Sequence, residues 1–207
     1  MEVMKPEQAL SELKKNNERK FDQTVELIVN LKKFDIKRNS INTFIYLPNK
    51  TKDKKACGFL ETPSKIIDTI PKAAFIRYKD KKELKKLVGK YDFFLASGPN
   101  MAAVATTFGK VLGPAGKMPS PKLGIILQEN DEEIKKVLNK VNTAVKIHTK
   151  EPSIKISIGK SSMDEKKIVE NIISAYNSII AELPTKKDNV KSVMIKLTMT
   201  KPIKLDI

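Results

Sequence analysis

Glycine, proline and lysine are concentrated in one segment, residues 109–121, which reads GKVLGPAGKMPSP. Glycine-rich turns that end in a lysine can bind phosphate groups, because backbone amides and an ammonium group then face the same anion. A nucleotide-binding P-loop needs glycine, four residues, glycine, lysine and then serine or threonine. Here Val111 occupies the first glycine position and Met118 follows Lys117, so this Gly/Pro loop does not fit that motif.

Groups that could perform catalysis are scarce around the loop. Ser97, Asn100 and Lys117 are the candidates, without a nearby histidine or paired carboxylates, and the SGPN stretch lacks the glycine spacing of a dinucleotide fingerprint. Cys57 is the only cysteine and His148 the only histidine, which leaves no cysteine pair for a zinc site. We expect no catalytic activity, no metal and no cofactor. The alternative is an α/β enzyme that acts on a phosphorylated substrate through the Gly/Pro loop.

The charge balance favours a polyanionic partner. The chain has 40 Lys and Arg against 24 Asp and Glu, a formal net charge of +16, and such a positive potential attracts RNA, DNA or an anionic membrane. No apolar run approaches the roughly 20 residues that span a bilayer, and the first ten residues lack the apolar core of a signal peptide. We therefore expect a cytoplasmic protein without a membrane partner.

A third interpretation is a scaffold that binds only proteins. Such a scaffold would lack the steep salt dependence of RNA binding.

Hydrophobic spacing predicts the elements that must position these groups. A helix starts at Pro6, an alternating strand starts at Phe21, and a second strand covers 41–47. The charged stretch 49–55 marks a domain boundary. Beyond it, short strands alternate with helices, which indicates a parallel, doubly wound sheet. The elements predicted there are the strand ACGFL, a helix from Thr62 and Pro63, the strand AAFIRY, a helix over 81–88, the strands FFLAS and LGIIL, and a helix over 131–141.

The last third returns to the style of the N-terminal part. It predicts an alternating strand SIKISIG, a long helix over 163–183 and a final strand SVMIKLTM, with Ser162 and Glu165 as a capping box. The simplest arrangement joins both chain ends in one domain, residues 1–50 and 147–207, and inserts residues 51–146 as a second domain. The predicted fold class is α/β, with an antiparallel sheet and helices in the split domain.

Four segments resemble, in order, the motifs of the large-subunit ribosomal protein L-one family: KFDQTVEL, GKVLGPAGKMPSPK, IKISIGK and LTMTKPIK. The match covers nearly the whole chain, and the short N-terminal lead resembles an archaeal member. The resemblance implies a split domain that grips large-subunit rRNA and an inserted, three-layer Rossmann-like domain. It further implies a place in the mobile stalk near the tRNA exit site, a role in release of deacylated tRNA there, repression of translation by binding the protein's own mRNA, and a monomer when free.

The resemblance also assigns RNA-binding residues. Lys20, Phe21, Thr24 and Glu26 match the first RNA-contacting segment: the lysine neutralises a phosphate and the phenylalanine packs on ribose or a base. The threonine hydrogen-bonds a 2′-hydroxyl, and the carboxylate accepts a hydrogen bond. In the second segment the matching residues are Lys155, Gly159, Lys160 and Ser162. We read Gly159 as lying before a helix start, where backbone amides bind phosphate; for Lys155, a solvated strand face is the other interpretation.

The C-terminal motif departs from the family at one position. Thr198 and Met199 match, but Thr200 stands where the family commonly has glycine, followed by Lys201 and Pro202. Glycine permits a positive φ in such a turn, so this turn must be built in another way. Lys201 is expected to replace backbone contacts with a phosphate contact.

Overall fold

The computed structural model describes residues 3–15, 21–36, 38–149 and 151–207. The chain divides into two compact units, unit 1 with residues 1–52 and 143–207, and unit 2 with residues 53–142. Sequence patterns placed the second boundary between residues 146 and 147, inside a strand that spans Ala144–His148. This strand pairs along its whole length with Asn42–Tyr46 and therefore belongs entirely to unit 1.

Helices and strands follow one another through both units in an α/β pattern. In chain order they are β1 (Val3–Met4), α1 (Pro6–Lys15), β2 (Thr24–Leu31), β3 (Asn42–Tyr46), β4 (Ala56–Phe59), β5 (Asp68–Thr69), a 3₁₀ helix (Lys72–Lys79), α2 (Lys81–Lys90), β6 (Phe93–Ser97), α3 (Met101–Leu112), β7 (Ile125–Ile126), α4 (Asp131–Thr143), β8 (Ala144–His148), β9 (Ser153–Lys160), α5 (Glu165–Glu182), a second 3₁₀ helix (Lys186–Asn189), β10 (Val190–Leu197) and β11 (Ile203–Leu205).

The main sheet of unit 1 has the strand order β1-β11-β10-β2-β9, with β2 antiparallel to both of its neighbours. The predicted alternation in β2 is confirmed: Val25, Leu27, Val29 and Leu31 are buried, and Ile28 interrupts the polar face. The buried side chains share one core with apolar residues of α1 and α5. The other face of β2 carries the half-buried polar side chains of Thr24, Glu26 and Asn30.

Unit 2 contains the predicted parallel sheet, in the order β5-β4-β6-β7. Parallel neighbours need a crossover connection; the first 3₁₀ helix and α2 lie in the connection from β4 to β6, and α3 lies in the connection from β6 to β7. Phenylalanine rings fill the core on one face: Phe59 stacks on Phe94 with centroids 5.6 Å apart, and Phe75 and Phe108 meet edge-on at 5.0 Å. α2, α3 and the first 3₁₀ helix contribute to the same core.

Two predicted elements of unit 2 are wrong. No helix begins at Thr62 and Pro63; that stretch leads through bends into β5. AAFIRY is not a strand but most of the first 3₁₀ helix. Its burial does not alternate, because Phe75 enters the core while Ile76 and Arg77 are both exposed.

A distant carboxylate binds the segment in which the helix was expected. Glu129 accepts hydrogen bonds from the amides of Glu61 (3.1 Å) and Thr62 (2.8 Å) and from the Thr62 hydroxyl (2.6 Å). Partial burial acts to raise the pKa of Glu129, but these hydrogen bonds outweigh it and lower the pKa to about 2. The segment after β4 is thus tied to the segment after β7.

The hydrogen bonds from Glu61 and Thr62 to Glu129, which we call the clamp, make the stability of unit 2 dependent on pH. Because the pKa of Glu129 is about 2 when folded and about 4.3 in an unfolded chain, its stabilisation is present above the unfolded value and is lost as pH falls towards 2. We expect Glu129→Gln to lower the opening free energy of unit 2 by about 1–2 kcal/mol at pH 7, with the difference shrinking towards pH 2. Amide hydrogen exchange of β4 and β6 measures it. The control is Glu61→Gln, which retains the Glu61 amide; equal effects of both variants at every pH would contradict the clamp.

Candidate nucleic-acid interface

Three chain segments meet at one end of the main sheet of unit 1. The start of β2 lies between the ends of β9 and β10, with Thr24 opposite Lys160 and Val25 opposite Leu197. We call this end of the sheet the rim and define it as residues 21–26, 160–162 and 196–201. It brings together the predicted residues Phe21, Thr24, Glu26, Lys160, Ser162, Thr198, Met199, Thr200 and Lys201.

The turn after β10 is closed by Thr200. Its amide donates to the Leu197 carbonyl (3.0 Å), while its hydroxyl accepts from the Leu197 amide (2.9 Å) and lies 3.2 Å from the same carbonyl. In the described parts of the chain, Lys33 and Lys186 are the non-glycine residues with positive φ. The turn therefore needs no glycine here, because a hydroxyl closes it with ordinary backbone angles.

Gln23 fixes the position of this turn relative to β2. The side chain is only 3% exposed, and its Oε1 accepts from the Met199 amide at 3.1 Å. The Gln23 amide donates to Ser161 Oγ (3.0 Å), and the Gln23 carbonyl accepts from the Ser161 amide (2.8 Å). One buried residue thus connects all three segments of the rim. Thr24 adds a second connection, because its carbonyl accepts from the Thr198 amide at 3.1 Å.

Asp22 holds the segment after β9. Its carboxylate accepts from the Ser161 hydroxyl (2.7 Å) and from the Ser162 amide and hydroxyl (both 3.0 Å). Slight burial acts to raise the pKa of Asp22, but the hydrogen bonds from Ser161 and Ser162 and the charge of Lys160 together lower it. The carboxylate is therefore ionised at neutral pH and is directed at protein donors.

Charged and apolar groups alternate over the outer surface of the rim. Glu26 pairs with Lys196 at 3.4 Å, and Lys196 Nζ also lies 3.5 Å from the Thr198 carbonyl. Phe21 and Met199 are large apolar side chains of the rim that are 54% and 58% exposed. Because they lie on two segments that meet at the rim, they are candidates for a shared binding surface.

Two predicted site residues, Lys155 and Gly159, lie on β9 before the segment 160–162 of the rim. Lys20 lies outside the described residues, so its position is not assigned. Lys155 faces Ile28, four residues along β2 from Thr24, and pairs with Glu151 at 3.2 Å. Gly159 is buried, and a Cβ there would lie 3.3 Å from Met163 Sδ and from Ile168 Cγ1. Because α5 begins six residues later, Gly159 is not at a helix N-terminus; its lack of a side chain serves packing.

The predicted capping box is also wrong. Asp164 is the N-cap of α5 and accepts from the Lys166 amide at 3.2 Å, whereas the Ser162 hydroxyl donates to Asp22. Asp22, Gln23 and Ser161 are the rim residues that sequence reasoning missed. A signal was available, since Asp22 and Gln23 fall inside the KFDQTVEL motif, but nothing local shows that their partners lie about 140 to 175 residues away.

Lys117 of the Gly/Pro loop has a structural role. Gly116, at φ 68°, reverses the chain after α3, and the Lys117 amide donates to the Leu112 carbonyl at 3.0 Å. The Lys117 side chain then donates to the carbonyls of Val88 (2.7 Å) and Tyr91 (2.8 Å) at the end of α2. The lysine is engaged by backbone carbonyls, which does not fit the phosphate-binding alternative.

The part of the chain that the structure describes contains no metal-ligand cluster and no helix that could span a membrane. No three His, Cys, Asp or Glu side chains of the described residues are grouped as a metal ion would require. None of the described helices combines the length and apolar character needed to cross a membrane.

The described residues form an α/β protein in which three segments of unit 1 are joined at the rim by hydrogen bonds of the buried residue Gln23. Comparison with known proteins identifies its class: the model of the Ribosomal protein L1p/L10e family matches residues 13–201. The chain therefore belongs to this family, whose members are ribosomal proteins and not enzymes.

Relatives in archaea match almost the full length. The large ribosomal subunit protein uL1 of Thermoplasma acidophilum is 34% identical over 216 residues, covering 99% of this chain and 97% of the relative. The proteins of that name from Nanoarchaeum equitans and Thermococcus kodakarensis are each 32% identical and cover 90% and 91% of this chain, and 92% and 90% of their own lengths. The predicted archaeal-like membership is confirmed.

The Thr200 turn can be tested by removing its hydroxyl. Thr200→Val keeps the shape but leaves the Leu197 amide without its side-chain acceptor, so we expect a loss of about 1 kcal/mol in local stability. Hydrogen exchange of the Leu197 amide measures this loss. Thr200→Ser retains the hydroxyl and should exchange like the wild type. Equal protection in the valine and serine variants would show that the hydroxyl does not hold the turn.

Proposed function

We propose that this chain is a structural protein of the large ribosomal subunit in the cytoplasm, and that it binds rRNA directly through the rim. Family membership and the archaeal relatives support the ribosomal assignment. The RNA-binding assignment rests on one observation: Phe21 and Met199 are exposed at the rim, where Gln23 fixes the Met199 backbone by a hydrogen bond. RNA recognition typically uses aromatic and apolar packing on riboses and bases beside phosphate contacts.

Each outward group of the rim has a distinct task in this proposal. Phe21 and Met199 pack on ribose or base surfaces, and Lys160 and Lys201 contact phosphates. Glu26 is neutralised by Lys196 at 3.4 Å, so the pair presents both an acceptor and a donor at little net charge. Such a pair suits ribose hydroxyls and base edges, which carry no charge.

The remaining expectations from the resemblance are part of the same proposal. We propose that unit 1 is a split RNA-binding domain and unit 2 an inserted, three-layer Rossmann-like domain, in a protein that is monomeric when free. The rRNA target is the mobile stalk near the tRNA exit site, where the protein takes part in release of deacylated tRNA and contacts exit-site tRNA. The rim also binds the protein's own mRNA and represses its translation, because a shared RNA shape would fit one preformed surface.

The proposal is tested by binding to the large-subunit rRNA stalk fragment. We expect Phe21→Ala to weaken binding about 10- to 100-fold, since one base stacked on an aromatic ring is worth about 1–3 kcal/mol, and Met199→Ala to weaken it in the same direction through lost apolar contact. Filter binding or fluorescence anisotropy over a salt series measures the affinity. Ile173→Ala, which truncates another exposed apolar side chain, on α5, is the control and should bind like the wild type.

An unrelated duplex of equal length separates selective from general attraction. Selective binding that both rim variants weaken supports the proposal. Equal, salt-sensitive binding of both RNAs that neither substitution changes would refute it, because the attraction would then arise from net charge alone.

A further inference from the structure

Unit 2 carries a concentration of positive charge that the rim does not use. Between residues 72 and 90 the sequence has eight Lys and Arg against two Asp and Glu, and residues 101–128 have three lysines and no acidic residue. The first stretch contains the first 3₁₀ helix and α2, and the second contains α3 and the loop after it. α2 and α3 pack against each other, so Lys85 of α2 and Lys110 of α3 lie on contacting helices.

A groove runs along the junction of α2 and α3. It has a volume of about 830 Å³ and is lined by Leu84, Lys85, Thr106, Thr107, Lys110, Val111 and Pro114. Leu84 is buried and Val111 half-buried, so they form an apolar floor, whereas Lys85, Thr106 and Lys110 are exposed at its edges. We call this feature the α2–α3 groove.

The lysines of the groove differ from their neighbour Lys86. Lys86 pairs with Glu83 at 3.0 Å, but no acidic side chain in the described parts of the chain pairs with Lys85 or Lys110. Thr106 and Lys110 are four residues apart on α3, so their side chains are neighbours about 5–6 Å apart on one helix face. The groove therefore presents cationic and hydroxyl groups without a competing carboxylate.

We propose that the α2–α3 groove binds the sugar-phosphate backbone of an RNA strand. Lys85 and Lys110 neutralise phosphates, and the apolar floor packs on the ribose faces. This inference rests on the proposed function, because the rim supplies the first contact with the RNA and the groove supplies a second. Phosphate contacts of this kind add affinity without reading sequence.

The hydroxyl of Thr106 favours RNA over DNA. It donates its hydrogen to the Ala102 carbonyl at 2.9 Å, so towards the groove it offers lone pairs and no hydrogen. Lone pairs repel a phosphate oxygen but accept from a ribose 2′-hydroxyl, which DNA lacks. The composition of the groove also fits RNA better than an acidic peptide helix, which would need a row of apolar pockets for anchors at helical spacing.

The first experiment compares two charge-matched variants of the full chain. Lys85→Gln with Lys110→Gln removes two charges from the groove, and Lys135→Gln with Lys136→Gln removes two exposed charges from α4 of the same unit. Against the rRNA stalk fragment, we expect the groove variant to bind about tenfold more weakly and to reduce the salt slope by roughly 1.5. The α4 variant should stay within about twofold of wild type.

A fluorophore on Thr107→Cys, which also lines the groove and leaves the Thr106 hydroxyl in place, reports occupancy of the groove directly. Cys57, the only native cysteine, is fully buried, and burial raises the pKa of its thiol to about 12, so it does not compete for the label. RNA should change the emission at concentrations where the corresponding DNA strand does not. An equal response to DNA or to polyglutamate would overturn the assignment to RNA.

The outcomes separate this inference from the proposed function. If the Phe21 and Met199 variants lose selective binding while the groove and α4 variants behave alike, the ribosomal RNA function stands and the groove proposal is overturned. If the wild type shows no selectivity but the groove variant and the label still respond to RNA, the groove proposal stands and the rim assignment fails.

Discussion

The antiparallel pairing of β2 with both β9 and β10 is the constraint on which the rest of unit 1 depends. Antiparallel neighbours run in opposite directions, so the start of the central strand must adjoin the ends of the two flanking strands. Segments from both ends of the chain are thereby delivered to one place. The rim follows from this topology, and it cannot form until the N-terminal strand has paired with strands from the C-terminal third of the chain.

Within that arrangement, the polar and the apolar side chains of the rim have different roles. Gln23 and Asp22 accept hydrogen bonds from protein donors and fix the backbone of the rim, whereas Phe21 and Met199 are exposed to solvent. A surface that is rigid before binding loses little conformational freedom when it binds. In the proposed function, the buried amide of Gln23 therefore acts indirectly, by holding the Met199 backbone in position.

Local patterns in the sequence predicted correctly those elements that are held in place by burial of an apolar face. The alternation of β2, the apolar stripe of α1 and the parallel strands of unit 2 all fall in this class. Two of the errors fall beside contacts with distant polar groups: Glu129 accepts from amides in the segment where a helix was predicted to begin, and the Ser162 hydroxyl donates to Asp22 instead of capping α5. Lys117 shows the same limit, because its carbonyl partners lie 26 and 29 residues earlier in the chain.

The two units combine different kinds of interaction in the proposed function. At the rim, Glu26 offsets Lys196, so selectivity there depends on shape, packing and hydrogen bonds, which salt screens little. The lysines of α2 and α3 act mainly through charge, whose range is about 10 Å at 0.1 M salt. Long-range attraction by unit 2 therefore raises the rate of encounter with RNA, and the fixed geometry of unit 1 decides which RNA stays bound. Neither property requires the chemistry of an active site. The most glycine-rich loop of the chain accordingly has a structural role, because its Lys117 holds the end of α2.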